Sequence, residues 1–392
     1  MSGEPAANGP LDLTASLAEV TAVAGEHAAR TDRDAEFPVE ALDALRGTGL
    51  LGLMVPVSHG GLGGTVADLV AAAQTLGRSD MSVGMIFAMH CQQAEAIVRY
   101  GDRALRDELL PGIAKGGIYL ASVTTEAGKG GHLLSAQAQL TGGDGQLAID
   151  RFAPVVTGGG YADGFLITMR SPGAVADSDV SLVYAHRSQL DISGSGEWQP
   201  MGMRASHSGP LTLSGSVPAR QVVGEQGGFH EIAARVFGPL AHLGWSAVWL
   251  GTAAGALSRV LRLLRSPAGR ARFDLSSELL LSRISRSRQR LEAVHALLTR
   301  ALGVVESGDD LSAPSRQLLL NSLKITAADE CHAAVDGLVT ALGLRHGYLK
   351  DSPTHLERAL RDLRSAALNY SNDRLHLADG RLALRDQGVS FA

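Results

Sequence analysis

The hydrophobic residues of this chain change their spacing twice along the sequence. Over residues 11–116 they recur at every third or fourth position, as Leu69 and Leu76 illustrate, which predicts amphipathic helices. Over residues 118–228 the period changes to two, in short runs such as GFLITMR and SLVYAH between Gly, Asp, Ser and Pro clusters, which predicts β-strands. From residue 229 onward the helical spacing returns.

This order predicts an α+β chain built from three domains. We expect an N-terminal helical domain over residues 1–117, a central β-domain over 118–228, and a C-terminal four-helix bundle over 229–392. The long helices of the last part are predicted at residues 231–265, 275–306, 314–342 and 353–379. Because the β-domain lies between two helical blocks, we expect a ligand cleft where the three parts meet.

Composition and charge exclude several classes of protein. The 392 residues are 45% hydrophobic and 19% charged, which is typical of a folded globular protein. The net charge of −5 and the scattered basic residues argue against a nucleic-acid partner. The longest uncharged run, residues 236–257, contains Pro239, His242 and four glycines, so we expect a buried core helix and no membrane span.

The two cysteines indicate neither a disulfide framework nor a metal site. Cys91 and Cys331 lie far apart and lack CxxC or Cys/His ligand spacing. The histidines likewise lack the helical spacing beside an acid that a zinc site requires. The sequence therefore predicts a reduced, cytoplasmic protein without a bound metal.

Three strings in the predicted β-domain follow one another in the order of a known family. VTTEAGKGG, VVTGGGYAD and MGMRASHSGPLTLSGSVPARQVVG are similar to TEPxAGSD, ITNGxxAD and MGxRxSxxxxxxFxxVxVPxxxxLG of the acyl-CoA dehydrogenase superfamily. In the N-terminal part, RYGDRALRDELLPGIAKG resembles a helix pair of that family. The chain is therefore identified as a member over nearly its whole length. The resemblance implies the acyl-CoA dehydrogenase fold, a flavin-dependent oxidoreductase, and a homodimer or homotetramer.

The resemblance and the chemistry of flavins select the candidate cofactor residues. Reduction places negative charge on one edge of the flavin ring, and hydroxyl and amide donors stabilise that charge. Thr124, Thr125 and Thr157 lie on predicted loops, and Thr157 occupies the flavin-contacting position of the family. Ser206 occupies the MGxRxS turn, in which the preceding arginine, here Arg204, is usually structural. The alternative is that the threonines only form cross-strand hydrogen bonds.

The segments that would hold the adenine half of FAD depart from the family pattern. In the family, a partner subunit supplies the strings RxxFG and QxxGGxG. This chain has RARFD, which keeps Arg270 and Phe273, and VTALGLRHGY, which matches poorly. The resemblance therefore implies FAD, with FMN as an alternative and with reduced flavin from a reductase partner as a further arrangement left open.

The catalytic base of the family has no counterpart at its usual positions. Family dehydrogenases remove the α-proton of an acyl thioester with the glutamate of a C-terminal YEGT string, and Ser371 stands at that position. Ala241 stands at the position that some other members use. Since a positioned base contributes about 10²- to 10⁴-fold to the rate, a dehydrogenase would need a substitute, and His242 and Glu231 are the nearby candidates.

Other strings resemble the flavin-dependent monooxygenase branch of the superfamily, which includes dibenzothiophene monooxygenase. GMIFAMHCQQAEAIVRYG places His90 at an active-site histidine of that branch, and Asn369 replaces its second histidine. An imidazole with an ordinary pKa of about 6.5 can donate a proton to flavin-activated oxygen at neutral pH. We therefore predict that His90, His242 and Asn369 form a polar cluster facing the flavin. The alternative is that His90 packs within its helix.

Three functions remain open from the sequence. The missing carboxylate favours a monooxygenase or hydroxylase that uses reduced flavin and O₂ on a small molecule. The family as a whole favours a dehydrogenase of acyl thioesters on CoA or a carrier protein, with a substitute base and an electron-transfer partner. The third is a catalytically idle family member. Trp245 and Trp249, one helical turn apart, either pack in the core or line a substrate pocket.

Overall fold

The computed structural model describes residues 11–128, 132–194, 197–386 and 388, in which helices come first, then strands, then helices again. The first block contains α1 (Thr14–Asp34), α2 (Val39–Gly47), α3 (Val66–Ser79), α4 (Met81–Tyr100) and α5 (Arg103–Ala114). Side chains cap the starts of α3, α4 and α5, which satisfies main-chain amides that have no partner within the helix. Thr65 and Asp68 form a capping box on α3, and Asp80 accepts from the Val83 amide at the start of α4.

Seven short strands follow the first helical block. They are β1 (Leu120–Val123), β2 (Gln146–Ala153), β3 (Gly164–Arg170), β4 (Val180–His186), β5 (Leu190–Gly194), β6 (Leu211–Pro218) and β7 (Val222–Val223). One sheet has the order β1-β3-β4-β7 and the other β2-β6-β5. Only the β1–β3 pairing is parallel among the described strands. Strand β2 alternates strictly between exposed and buried residues, as expected for a strand with one face on the core.

The C-terminal block is mainly helical between residues 229 and 383. It contains α6 (Phe229–Ile232), α7 (Gly238–Arg265), α8 (Pro267–Arg272), α9 (Glu278–Glu306), α10 (Pro314–Gly343), α11 (Leu356–Arg364) and α12 (Asn372–Ala383). Two π-helical turns, Ala233–Phe237 and Leu344–Tyr348, precede α7 and follow α10. Helix α10 packs against both α7 and α9, so the long helices form one bundle.

Helix α7 is the central helix of the protein. It packs closely on α3 through glycines: a Cβ atom added to Gly77 would lie 2.5 Å from the Val248 carbonyl oxygen, and one on Gly251 would lie 2.1 Å from that of Gln74. The stretch Phe229–Arg265 is long and apolar enough to cross a membrane by length and composition, and 67% of its most apolar window is buried inside the protein. This burial agrees with the predicted core helix.

The architecture confirms the predicted fold class, an α+β chain with helical, β and helical parts. The change from helix to strand falls between Ala114 and Leu120, and the change back falls between Val223 and Phe229. The predicted division into three domains places its boundaries within or next to these intervals. Residues 129–131 of the predicted flavin loop and residues 1–10 of the predicted N-terminal domain lie outside the described residues.

Candidate functional site

The turn that carries Ser206 is held against two helical segments. The Met203 amide donates to Asp362 Oδ1 at 2.7 Å, and Arg361 Nη1 donates to the Met201 carbonyl at 2.9 Å, which connects the turn to α11. Only glycine fits at position 202, because a Cβ atom there would lie 2.1 Å from the Arg361 carbonyl oxygen. Contacts on α11 therefore determine the position of the turn.

Arg204 joins the same turn to the end of α1. Its Nε donates to the Asp32 carbonyl at 2.6 Å, and its two terminal nitrogens donate to the carbonyls of Pro200 and Arg33. All of these acceptors are main-chain oxygens. The contacts support the structural role that the family resemblance implies for this arginine.

The structure brings Thr157 and Ser206 together through a third hydroxyl. Thr157 Oγ1 lies 3.0 Å from Ser208 Oγ, which lies 2.7 Å from Ser206 Oγ, and Ser206 Oγ donates to the Met203 carbonyl at 2.8 Å. Because Ser206 donates its only proton to this carbonyl, Ser208 donates to Ser206 and Thr157 donates to Ser208, so the Thr157 oxygen keeps a lone pair to accept a hydrogen bond from outside. Sequence reasoning missed Ser208, although its place two residues after Ser206 in SHSG was a signal.

The other two predicted flavin threonines differ from Thr157. Thr125 Oγ1 donates to the Val155 carbonyl at 2.8 Å and accepts from the Val155 amide at 3.3 Å, so the neighbouring main chain uses its hydroxyl, as in the alternative interpretation. Thr124 is half-buried beside it. Of the three, Thr157 keeps a hydroxyl oxygen that can accept a hydrogen bond from outside, and Thr125 shapes the loop.

A buried ion pair fixes the loop that carries Thr124 and Thr125. Glu126 pairs with Arg151 on β2, and their side chains are 5% and 1% exposed. The Glu126 carboxylate also accepts from the amides of Gln137 and Ala138, and Arg151 Nη2 donates to the Thr125 carbonyl at 2.8 Å. Sequence reasoning missed this pair, because an isolated arginine on an alternating strand does not reveal its partner.

The residues predicted to clamp adenine lie on the surface of the C-terminal block. Arg270 on α8 is exposed, and the ring of Phe273 lies 5.7 Å from that of His346 in the second π-helical turn. The strings RARFD and VTALGLRHGY therefore meet in space. Leu344 and Tyr348 beside them are 69% and 64% exposed. A surface location is what a contact to a partner subunit's cofactor requires.

His90 has two main-chain partners and no free nitrogen. Its Nδ1 accepts from the Leu120 amide at 3.0 Å, and its Nε2 lies 2.8 Å from the Leu51 carbonyl, to which it donates. Burial lowers the pKa of His90 to about 4, so the ring is neutral at pH 7. This geometry corrects the expectation that His90 donates a proton to activated oxygen, and it agrees with the interpretation of His90 as a packing residue.

His242 contacts a different part of the molecule from His90. Its ring is 7% exposed and hydrogen-bonds to the main chain of Leu320 on α10, while Nδ1 has no partner among the described residues. Burial, and then the nearby Lys324 ammonium, lower the pKa of His242 to about 4. The two histidines therefore have separate partners, Leu51 and Leu120 for His90 and α10 for His242, and their placement with Asn369 around a flavin stays a prediction.

A buried lysine that sequence reasoning missed organises the segment before α12. Lys324 is 0% exposed, and its Nζ donates to the carbonyls of Ala366 and Tyr370, at 3.1 and 2.9 Å, and to Asn372 Oδ1 at 2.7 Å. Burial lowers the pKa of Lys324 to about 8. The lysine therefore holds the segment that contains Ser371. The only sequence signal was a single charge inside the run LLLNSLKITAA.

Asn369 and Ser371 lie within the segment that Lys324 holds. Asn369 is half-buried, and Ser371 precedes α12 without a side-chain capping bond. Between them Tyr370 adopts the left-handed conformation, with φ of 49°. Glu231, the other candidate base, lies elsewhere: it is exposed and pairs with Arg235 at 3.6 Å.

The carboxyl group of Asp362 makes the stability of the protein depend on pH. Burial raises its pKa to about 7, although the Met203 amide opposes the shift. The folded protein therefore holds this proton up to a higher pH than the unfolded chain does, and its stabilising contribution is present at low pH and disappears as the pH rises through 7. We expect Asp362→Asn, which keeps an acceptor for Met203, to flatten the decline in stability between pH 5 and 8.

Urea unfolding of the two proteins at pH 5, 6, 7 and 8 measures this effect. A full proton difference corresponds to about 1.4 kcal/mol per pH unit. Asp150→Asn, on the exposed face of β2, is the control for the loss of one charge. Identical pH slopes for all three proteins would show that Asp362 ionises as in the unfolded chain.

The described residues contain no group of three or more His, Cys, Asp or Glu side chains placed to hold a metal ion. The hydroxyl chain of Thr157, Ser208 and Ser206 fits an N–H group of a flavin ring instead, because the Thr157 oxygen is left to accept a hydrogen bond on the β-domain. Arg270 and Phe273 fit a contact to the adenine half of a partner's cofactor.

Comparison with known proteins gives two family matches and several similar structures. The models "Acyl-CoA dehydrogenase, N-terminal domain" and "Acyl-CoA dehydrogenase, C-terminal domain" match residues 15–117 and 243–373. Acryloyl-CoA reductase (NADH) of Anaerotignum propionicum is 24% identical over 348 residues, which is 88% of this chain and 86% of that protein.

Two solved structures share the fold at 20% sequence identity. Butyryl-CoA dehydrogenase from Megasphaera elsdenii superposes with a TM-score of 0.82 and covers 96% of this chain and 100% of its own. FMN-bound TdsC from Paenibacillus sp. A11-2, a dibenzothiophene monooxygenase, has a TM-score of 0.84 with coverage of 96% and 99%. The two scores are nearly equal, so the likeness establishes the fold and does not distinguish dehydrogenation from oxygenation.

Proposed function

The chain belongs to the acyl-CoA dehydrogenase family, and from that premise we propose that it is a flavin-dependent monooxygenase or hydroxylase that uses reduced flavin and O₂. The relatives are oxidoreductases, which supports the enzyme class. Bound flavin supplies the redox chemistry of such a reaction. The residues of this chain bind and orient it and hold the substrate.

The observation that carries this proposal is the lack of an effective base. Ser371 and Ala241 stand at the two positions where the family resemblance expects a glutamate. His242, next to Ala241, is buried and has a pKa of about 4, which makes it a weak proton acceptor at neutral pH. A dehydrogenase needs a base to remove the α-proton, whereas oxygenation does not need one at these positions.

The cofactor contacts are assigned from the hydrogen-bond geometry. Thr157 would accept from an N–H group of the ring, with Ser208 and Ser206 behind it, and Thr124 and Thr125 would form the neighbouring loop. Arg270 and Phe273 support FAD held across a subunit interface in a homodimer or homotetramer. The FMN in TdsC supports FMN as the alternative. A flavin reductase or an electron-transfer partner would supply the electrons.

The second candidate is a dehydrogenase of acyl thioesters on CoA or a carrier protein. The names of the relatives acryloyl-CoA reductase and butyryl-CoA dehydrogenase favour it. Anaerobic mixing of the flavin-loaded protein with octanoyl-CoA separates the two candidates. We expect flavin bleaching about 10²- to 10⁴-fold slower than a glutamate-containing member shows, because the base is missing.

The same experiment has a matched variant and a second arm. Ser371→Glu restores a carboxylate at the family position and should accelerate bleaching. In the second arm, reduced FMN or FAD is mixed with the protein and O₂, and slow release of hydrogen peroxide supports the oxygenase. Rapid bleaching of the unmodified protein by octanoyl-CoA would establish the dehydrogenase. A protein that binds neither flavin would be a catalytically idle member.

Replacement of Thr157 by valine tests the flavin site directly. The variant keeps the shape of the side chain and removes the outward acceptor, so we expect about tenfold weaker flavin binding, as the loss of one hydrogen bond implies. Titration of the apoprotein with FAD and FMN measures it. Thr212→Val on β6 is the matched control. Equal flavin affinity and equal bound-flavin spectra in both variants would refute the placement.

A further inference from the structure

One face of α7 carries four buried polar atoms that have no hydrogen-bond partner among the described residues. They are His242 Nδ1, Trp245 Nε1, Ser246 Oγ and Trp249 Nε1. Spacings of three and four residues place them on the same side of the helix. His242, Ser246 and Trp249 are 7%, 0% and 0% exposed, so bulk water does not satisfy these atoms.

Other hydroxyl groups on α7 have hydrogen-bond partners, so the lack of partners is not a general property of the helix. Thr252 Oγ1 donates to the Val248 carbonyl at 2.9 Å, and Ser258 Oγ donates to the Ala254 carbonyl at 2.8 Å. A serine inside a helix ordinarily makes this bond to the carbonyl four residues earlier. Ser246 does not, and its hydroxyl remains free for another partner.

This face of α7 lies against α10 and the segment that Lys324 holds. His242 hydrogen-bonds to the main chain of Leu320, and the Lys324 ammonium lies 5.7 Å from the ring centroid of Trp249. Lys324 directs its hydrogen bonds to Ala366, Tyr370 and Asn372, so it does not satisfy the α7 atoms. The unpaired atoms thus adjoin the segment that contains Ser371.

The hydrogen-bonding groups on this face of α7 determine which groups a ligand needs to pair with them. The unpaired Nδ1 of His242 accepts or donates a hydrogen bond according to the tautomer of the neutral ring. The two indole nitrogens are donors only, and the serine hydroxyl can be either. The rings of Trp245 and Trp249, 6.3 Å apart, add an aromatic surface.

We propose that this face of α7 recognises the polar end of the substrate, a compact flat molecule with a carbonyl-type acceptor beside an N–H or O–H donor. The inference rests on the proposed function, because it assigns the face to the substrate of that reaction. An unbranched acyl chain leaves all four atoms unpaired, and sites built to form hydrogen bonds discriminate strongly against analogues that lack them.

Calorimetric titration of the full-length protein with two similar bicyclic probes tests this proposal. Quinolin-2(1H)-one carries a carbonyl next to an N–H, and naphthalene has nearly the same shape without either. We expect the quinolone to bind and naphthalene to bind at least about tenfold more weakly. Ser246→Ala should weaken quinolone binding about tenfold, and Ser258→Ala, whose hydroxyl is already paired on the same helix, should not change it.

Trp249→Phe is the second variant, and thermal melting confirms that each variant folds. Equal affinity for the two probes, or no measurable binding of the quinolone, overturns the proposal. So does a Ser246→Ala variant that melts at a higher temperature and keeps its quinolone affinity, because that result describes unpaired groups in a dry core. Flavin binding and the octanoyl-CoA experiment are measured separately. The assignment of this face of α7 and the proposed function can therefore each fail without the other.

Discussion

Replacement of Arg151 by methionine is expected to lower the free energy of unfolding by about 3–5 kcal/mol. Methionine retains an apolar side chain at this position, but it leaves the Glu126 carboxylate buried without its counter-ion. It also removes the donor to the Thr125 carbonyl, which lies 2.8 Å from Arg151 Nη2. Equilibrium unfolding in urea, followed by far-ultraviolet circular dichroism, measures the loss.

Two controls identify the buried charge as the cause. The double variant Arg151→Met, Glu126→Gln removes both charges and should recover most of the lost stability, because replacement of a whole buried pair is much less harmful than removal of one partner. Arg220 and Glu108 form a pair at 2.6 Å whose side chains are each 50% exposed, so Arg220→Met should destabilise the protein much less than Arg151→Met. A single Arg151 variant no less stable than the Arg220 variant would contradict the interpretation.

Replacement of Lys324 by methionine is expected to cost about 2–4 kcal/mol and to release the segment before α12. Three acceptors lose a charged donor: the carbonyls of Ala366 and Tyr370 and the side chain of Asn372. Tyr370 also adopts the left-handed conformation at φ of 49°, which persists only where surrounding contacts enforce it. Urea unfolding measures the stability, and amide hydrogen exchange measures the order of the segment.

The exchange experiment separates a local effect from a general one. In Lys324→Met, protection should fall over residues 366–372 and stay unchanged in β2 and β6, which lie in the other part of the molecule. Lys115→Met, at an exposed lysine, should change stability by less than about 0.5 kcal/mol. Unchanged exchange over residues 366–372 would mean that the lysine does not hold this segment.

Local pattern was sufficient to predict the elements and their order. The pattern within a single element shows which of its faces is apolar. The helical spacing, the alternation of β2 and the apolar run of α7 are examples. Thr157 and Ser206 were predicted instead from strings that resemble the family, and their contact with a flavin stays a prediction. The fold class was readable before any contact was known.

Pairing between distant residues was decided only by the tertiary structure. Arg151 finds Glu126 across 25 positions and Lys324 finds Asn372 across 48, and the residue spacing within either element does not reveal such partners. His90 shows the consequence: its residue type suggested a proton donor, and two main-chain hydrogen bonds made it a neutral packing residue. The sequence by itself determined the elements, their order and which face of each is apolar. The partners of buried side chains, and hence their charge and chemistry, depend on packing between elements far apart in the chain.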